Sequence, residues 1–402
     1  MNELFSTYGS PCKLKLLTEH TVYIFTVEHA QKLLTDASNI DKGFSYKMLL
    51  PWFKTGLLVS SGVRWRHTRR LLNAAFHREL LIDQLPLMNE QAQVLIDHIR
   101  SRDGSFDVCP LVTRSVLNLI CRLLIGRANA ASPASTDDYL RSVQQFQRAV
   151  YERLSSGLLC CVPECLYRVL PCSRRYYAAI QQLRLFTEQS NFIDSPCFET
   201  VPPDSFIFGG HDSTAVTLLW TLYCLGRHEH CQTRCQREID DALGTRTSVE
   251  QSDLVKLKYV ECCIKESQRL YAPVPLIGRR LCRPLELDAT HTLPAGISVV
   301  IAINRLHHDP QQFPRPHCFD PERFTADNTA TRHPFAFIPF AGGPRNCIGQ
   351  KLAMIELKVL LCHILHEFTV TSAQTPEEVS PQVLFVLRPK NGIKMAFQRR
   401  LL

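Results

Sequence analysis

Cys347 stands in the stretch PFAGGPRNCIGQ, residues 339–350, where the sequence turns into a helical pattern that reads as amphipathic. A thiolate is a strong metal ligand and a thiol a poor one, so a ligating cysteine needs surroundings that lower its pKa. A helix start supplies them, because its unpaired N–H groups and the helix dipole both favour negative charge. The neighbours suit a flat, anionic, metal-bearing ligand. Phe340 can cover an aromatic face, Gly343 permits a left-handed turn, Arg345 offers a fork to a carboxylate, and Gly349 lets a planar group approach the helix backbone. A haem, with its iron and two propionates, makes those demands, and Cys347 would then be the metal ligand. The ordinary fate of a single cysteine is a small buried hydrophobe, and this chain has 17 of them.

Two further groupings could do chemistry or bracing. In RWRHTRRLL, Trp65 and Arg69 lie one helical turn apart and share a face with Leu72 and Phe76, while Arg66 and Arg70 point elsewhere. An arginine on an apolar face needs an anionic partner or a route to solvent. In KESQRL, Glu266 and Arg269 sit three apart and can pair, which on a surface contributes less than ~1 kcal/mol. The cluster His228, His230, Cys231 and Cys235 fails as a zinc site, because His230 points away from the others on a helix. Scattered arginines without an aromatic-rich basic motif argue against nucleic-acid binding.

The elements that must position these residues read as mainly α with a small β-rich lobe. With 402 residues, 45% of them hydrophobic, the chain can form one large core, read as a single domain over 1–402. Residues 1–61 form a strand-rich part, with HTVYIFTV as strand and EHAQKLLTDA as helix, and 62–402 a helical part. Helical periodicity dominates from Gly62 to about Glu238, followed by the Glu266 helix, a proline-rich strand and turn region, the Cys347 helix and a strand-like tail. The apolar stretch Ser205–Gly226 holds His211 and Asp212, and its uncharged run is shorter than the ~20 residues of a bilayer crossing. The start of the chain carries Glu3, Lys13 and Lys15 and no secretory signal, and Cys-x-x-Cys pairs are absent, which fits free thiols in a reducing compartment. A net charge of +8 narrows partners only weakly.

The pattern Phe340-x-x-Gly343-x-Arg345-x-Cys347-x-Gly349 resembles the haem-binding signature of the cytochrome P-450 superfamily, the haem-thiolate monooxygenases. Glu266-x-x-Arg269 and the PERF stretch, Pro321 to Phe324, are similar to two further family elements. The resemblance implies a Glu266, Arg269 and Arg323 network that braces the region behind the thiolate loop. It gives Arg69 and Arg279 haem propionates as partners and places Trp65 beside them. FIFGGHDSTA resembles the family's distal helix, which implies room for dioxygen at Gly209 and Gly210 and proton relay by Asp212, Ser213 and Thr214. Ser213 replaces the usual threonine, keeping the hydroxyl without the methyl that restrains its rotamer.

FIFGGHDST, FIPFAGGPRNCIGQKLA and NIDKGFSYKMLLPW most resemble the animal fatty-acid ω-hydroxylase branch. Members of that branch often carry a glutamate, esterified to haem, where this chain has Gly209, so haem b held non-covalently is implied. The resemblance further implies electrons from NADPH through a flavoprotein reductase docked on Arg66, His67 and Arg70, with cytochrome b5 as a second donor. It implies O2 and a small lipophilic substrate such as a fatty acid, and the endoplasmic reticulum membrane as location. The chain starts after the family's membrane anchor and hinge, so the fold is read as truncated. QSNFIDSPCFETVPPD stands where the family has roof helices, and Pro202 and Pro203 forbid a helix entering from upstream. A shortened roof leaves a second reading, a haem-binding homologue or interaction protein that turns over poorly.

Overall fold

The most apolar segment becomes the central helix of the molecule. The computed structural model describes residue 5 and residues 7–16, 19–76, 78–125, 133–189 and 202–400. In chain order, the main helices are α1 (Val27–Thr35), α2 (Gly62–Ala75), α3 (Leu85–Arg100), α4 (Cys109–Ile125) and α5 (Pro133–Ser155). They continue as α6 (Arg174–Gln189), α7 (Asp204–Arg227), α8 (Glu229–Leu243), α9 (Lys258–Leu270) and α10 (Gln350–Glu367). Helix α7 is buried along most of its length and packs on α4, α9 and α10. No described helix is long and apolar enough to cross a membrane.

Pro203 is the N-cap of α7, so the helix starts where the two prolines require it. Its first residue, Asp204, accepts hydrogen bonds from Trp52 Nε1 at 2.9 Å and Thr187 Oγ1 at 2.8 Å. That carboxylate thereby fastens α7 to the end of α6 and to the short helix Leu50–Phe53. A second apolar cluster, including Trp52, Phe53, Phe146, Tyr176 and Phe208, holds α5 and α6 over the N-terminal half of α7. Residues 190–201, where the sequence departs from the roof pattern, lie outside the described residues.

Two expectations need correction. The strand-rich lobe is not built from residues 1–61 alone: β1 (Cys12–Leu16) and β2 (Glu19–Ile24) join β3 (Leu276–Arg280) and β4 (Ser298–Ala302) in the order β1-β2-β4-β3. Strand β2 runs parallel to β4, with Val22 opposite Val299, and residues 27–53 are mainly helical. Helix α10 is not amphipathic either, since every residue from Glu356 to Leu365 is buried. Its polar residues misled the pattern. Lys358 Nζ reaches Glu261 at 2.6 Å and the Leu254 carbonyl at 2.9 Å, and burial pushes the Glu356 carboxyl up to about 8.

The Glu266 and Arg269 pair lies in the interior, with both side chains at 0% exposure and Nε to Oε2 at 2.7 Å. Arg269 also donates to the carbonyls of His307, Pro316 and Cys318, and Glu266 accepts from the Asp320 N–H at 2.9 Å. Arg323 Nε lies 3.4 Å from Glu266, which completes the network the sequence implied. His307 in turn accepts from the Ile338 N–H at 2.9 Å through Nε2. Helix α9 is thus tied to the backbone that leads into the Cys347 loop.

Arg269→Ala should destabilise the fold by about 3–5 kcal/mol, because it strands a buried carboxylate. A fall in the urea midpoint checks this; a shift under 1 kcal/mol, the ~1 kcal/mol ceiling of a surface pair, would contradict it. Burial, then the charges of His308 and Arg269, push the His307 pKa from 6.5 down to about 3. Its contribution to stability is therefore present at pH 7 and lost as the pH falls through the window from 6.5 toward 3. His307→Asn should flatten the pH dependence of the urea midpoint across the upper part of that window.

Candidate active site

Backbone geometry forces the Cys347 loop into one shape. Ala341 and Gly343 both take left-handed conformations, with φ of 59° and 67°. A Cβ on Gly343 would meet the Leu34 carbonyl oxygen, at the end of α1, at 1.7 Å, so only glycine fits. The Cys347 N–H then donates to the Phe340 carbonyl at 2.9 Å, closing the turn before α10 begins at Gln350. Cys347 is solvent-accessible, yet protein atoms crowd around it: burial raises its thiol pKa, while the Gly349 N–H and the charge of Arg69 lower it. Access combined with dense surroundings describes the wall of a cleft. The net upward shift differs from the lowered thiol that the helix start implied, because burial outweighs the N–H and the arginine.

Positive charge gathers beside this loop. Arg345 is 7% exposed, donates to the carbonyls of Ser60 (2.9 Å) and Leu58 (3.3 Å), and lies over the Trp65 ring at 4.6 Å. Among the described residues its Nε has no hydrogen-bond partner. Burial, then the charge of Arg279, push its pKa down to about 9. Arg279, on β3, is 2% exposed, and Lys42 pairs with it across an isolated bridge. Burial pushes the Lys42 ammonium well down, and Arg279 and Arg345 push it further. Among the described residues none of Arg69, Arg279, Arg345 or Lys42 has a carboxylate in hydrogen-bond or ion-pair contact. Arg69 instead grips the cysteine loop, donating to the Asn346 carbonyl at 2.6 Å and to Asn346 Oδ1 at 2.7 Å.

Helix α7 divides its faces. Gly209 is exposed in mid-helix, and a Cβ there would meet nothing within 4 Å. Ser213, one turn on, donates to the Gly209 carbonyl at 2.9 Å and shares that open face. Gly210 serves a different purpose, since its Cβ would meet Ile120 Cδ1 on α4 at 3.0 Å. Thr214 is 3% exposed and faces the core. Asp212, 1% exposed, is turned away from the open face: it accepts from Gln147 Nε2 at 2.5 Å and forms an ion pair with Arg388. The structure therefore separates the acid from the hydroxyl that the sequence placed side by side.

The cytochrome P450 family model matches residues 1–189 and 201–397. The chain belongs to the cytochrome P450 family. Cytochrome P450 4V2 of Rattus norvegicus is 33% identical over 424 residues, covering 94% of this chain and 80% of that protein. Cytochrome P450 4A24 of Sus scrofa is 31% identical, with 98% and 85% covered, and the taurochenodeoxycholic 6 alpha-hydroxylase of the same species 31%, with 88% and 77% covered. An aligned length of 424 against a chain of 402 means that the rat relative carries internal residues this P450 lacks. The solved cytochrome P450DA heme domain shares the fold, with a TM-score of 0.83 and 21% identity over 99% of this chain and 92% of that one.

This P450 is a haem-thiolate monooxygenase, an oxidoreductase that uses non-covalent haem b and electrons from a reductase partner. The residues present fit the group. Among the described residues, the Arg345 Nε with no hydrogen-bond partner and the cations with no carboxylate contact, together with the accessible sulfur and the open face at Gly209, suit a flat dianionic group held by a thiolate. Sequence reasoning missed Gln147 and Arg388, which carry no motif, and gave no role to Lys42 and Asn346, which sit at unassigned positions of the quoted stretches; only their proximity in the fold reveals them. Gly209→Ala should leave the melting temperature unchanged or raised, by up to ~1 kcal/mol of helix propensity. Gly210→Ala should be less stable than Gly209→Ala by about 1–3 kcal/mol, through overpacking against Ile120. Equal melting temperatures for the two variants would contradict the division of faces.

Proposed function

We propose that this P450 hydroxylates a lipophilic substrate of the fatty-acid class: RH, O2, two electrons and two protons give ROH and water. The observation that carries the reading is the accessible Cys347 sulfur, close to Arg69 and two residues after Arg345, together with the lack, among the described residues, of any carboxylate in hydrogen-bond or ion-pair contact with Arg69, Arg279, Arg345 or Lys42. When bound, the haem supplies the redox-active iron at which O2 is reduced. Cys347 would ligate that iron as a thiolate, its charge steadied by the Gly349 N–H and Arg69.

Arg279 and Arg345, with Lys42 beside them, would hold the propionates by charge and N–H donation. Trp65 keeps Arg345 aimed by stacking on its guanidinium. Arg69 acts on the loop rather than on the propionates, through Asn346. Phe340 and Gly343 set the loop, and Gly349 leaves the approach to the sulfur open, a Cβ there meeting only Cys347 Sγ at 4.0 Å. Ser213 offers its hydroxyl on the open face of α7, where a proton can pass to the reacting oxygen. Exposed Arg66, His67 and Arg70 on α2 present a basic surface for an acidic flavoprotein reductase, with cytochrome b5 as a second donor. The endoplasmic reticulum membrane is the location that the fatty-acid hydroxylase resemblance supports.

The test supplies the haem-loaded protein with NADPH, a flavoprotein reductase and a series of fatty acids under isotopically labelled dioxygen. Hydroxylated products carrying the label are expected, and Cys347→Ser should abolish them. A protein that holds haem and accepts electrons yet yields no labelled product from any lipid offered would contradict the reading.

A further inference from the structure

The acid of the distal helix is committed to a neighbour outside the open face. Gln147 of α5 donates to Asp212 at 2.5 Å through Nε2 and accepts from Arg388 Nε at 3.2 Å through Oε1, while Arg388 pairs with Asp212. The three groups close a ring. Gln147 and Asp212 are each 1% exposed, and the Arg388 side chain 13%.

Arg388 lies on the strand Leu387–Pro389, which forms a hairpin with Pro381–Val383. The hairpin meets α7 at three points. Phe385, at its tip, packs against Phe208 with ring centroids 5.7 Å apart; Arg388 meets Asp212; and the Leu387 carbonyl accepts from Trp220 Nε1 at 2.8 Å. Phe208 and Asp212 lie one turn apart and share a face of the helix, whereas Trp220, eight residues beyond Asp212, is turned about 80° from it and braces the helix farther along. Gly209 and Ser213 form the adjacent stripe, rotated by one residue, about 100°.

We propose that Asp212 is a positioning residue rather than a proton carrier, and that Arg388 and Gln147 are its partners in fixing the rotation of α7. Held by the ring, the helix presents Gly209 and Ser213 to the open face, and protons reach that face by the Ser213 hydroxyl and solvent. This rests on the hydroxylase reading above, but its stability arm does not.

The experiment compares Arg388→Gln, Asp212→Asn and the double variant as haem-loaded proteins. It measures product formed per NADPH oxidised, release of hydrogen peroxide, and melting temperature. Peroxide marks dioxygen that took two electrons and two protons without oxidising substrate. Each single variant leaves one buried charge unpaired, so each should lower the melting temperature and reduce product per NADPH, by about tenfold. The neutral double variant should recover at least about threefold over either single and most of the melting temperature. The proposal is overturned if the double variant is as uncoupled as Asp212→Asn while Arg388→Gln stays coupled, since the carboxylate would then be the carrier. It is also overturned if the melting shifts simply add. Should no variant or parent make product, the melting arm decides alone: a recovered double supports the ring, and additive shifts reject it.

Discussion

Burying a cation without an acid beside it is among the least favourable things a fold can do. Among the described residues this protein does so with Arg279 and Arg345, at 2% and 7% exposure, neither of which has a carboxylate in hydrogen-bond or ion-pair contact, and it crowds Lys42 against them. The consequence is visible in their pKa values, all pushed down by burial, with Arg279 pushing Lys42 and Arg345 down further. A site of this kind becomes favourable only when an anion enters it. The sequence elements that assemble it come from the segment before α2, from β3 and from the cysteine loop, so the need for an anion is shared by three distant parts of the chain. Binding a dianionic ligand there adds to the stability of the folded state by mass action, which couples folding to cofactor loading.

Around that constraint the remaining structure acts as bracing. The cysteine loop is pressed on α1 at Gly343, hung from α9 through His307 and the Glu266 network, and held by α2 through Arg69 and Asn346. Helix α7 is fastened at its start by Asp204 and farther along by the C-terminal hairpin. The cysteine loop and α7 are therefore both fixed by polar contacts made across long stretches of sequence. Such contacts specify one arrangement, because a single missing partner leaves a buried polar group unsatisfied.

What the sequence made legible follows from distance along the chain. The Cys347 loop could be read from its own residues, since glycine, arginine and cysteine act on one another within a few positions. Glu266 and Arg269 could be read as a pair but not as a buried one, because exposure depends on what packs above them. Arg69 was read as lying on an apolar helix face and needing an anionic partner or a route to solvent; its partner in the fold is Asn346, far away in sequence. Asp212 beside Ser213 looked like a relay. Helical geometry puts consecutive residues 100° apart, and the structure gives each a different neighbour. Lys358 and Glu356 suggested a solvated face on α10, and only the fold shows a partner for the lysine and a burial-shifted carboxyl for the glutamate. Gln147 and Arg388 had no local signal at all, and Lys42 lay in a stretch that carried only a family resemblance. They matter because the topology brings them to the site.

The account stands on the bond between the Cys347 sulfur and haem iron. It is tested most directly by loading the protein with haem, reducing it and adding carbon monoxide while following the Soret band. A strongly red-shifted band that disappears in Cys347→Ser is the expected result, since thiolate donation changes the electronic structure of the complex. A folded, haem-loaded protein whose band stays unshifted, or is the same in Cys347→Ser, would contradict it.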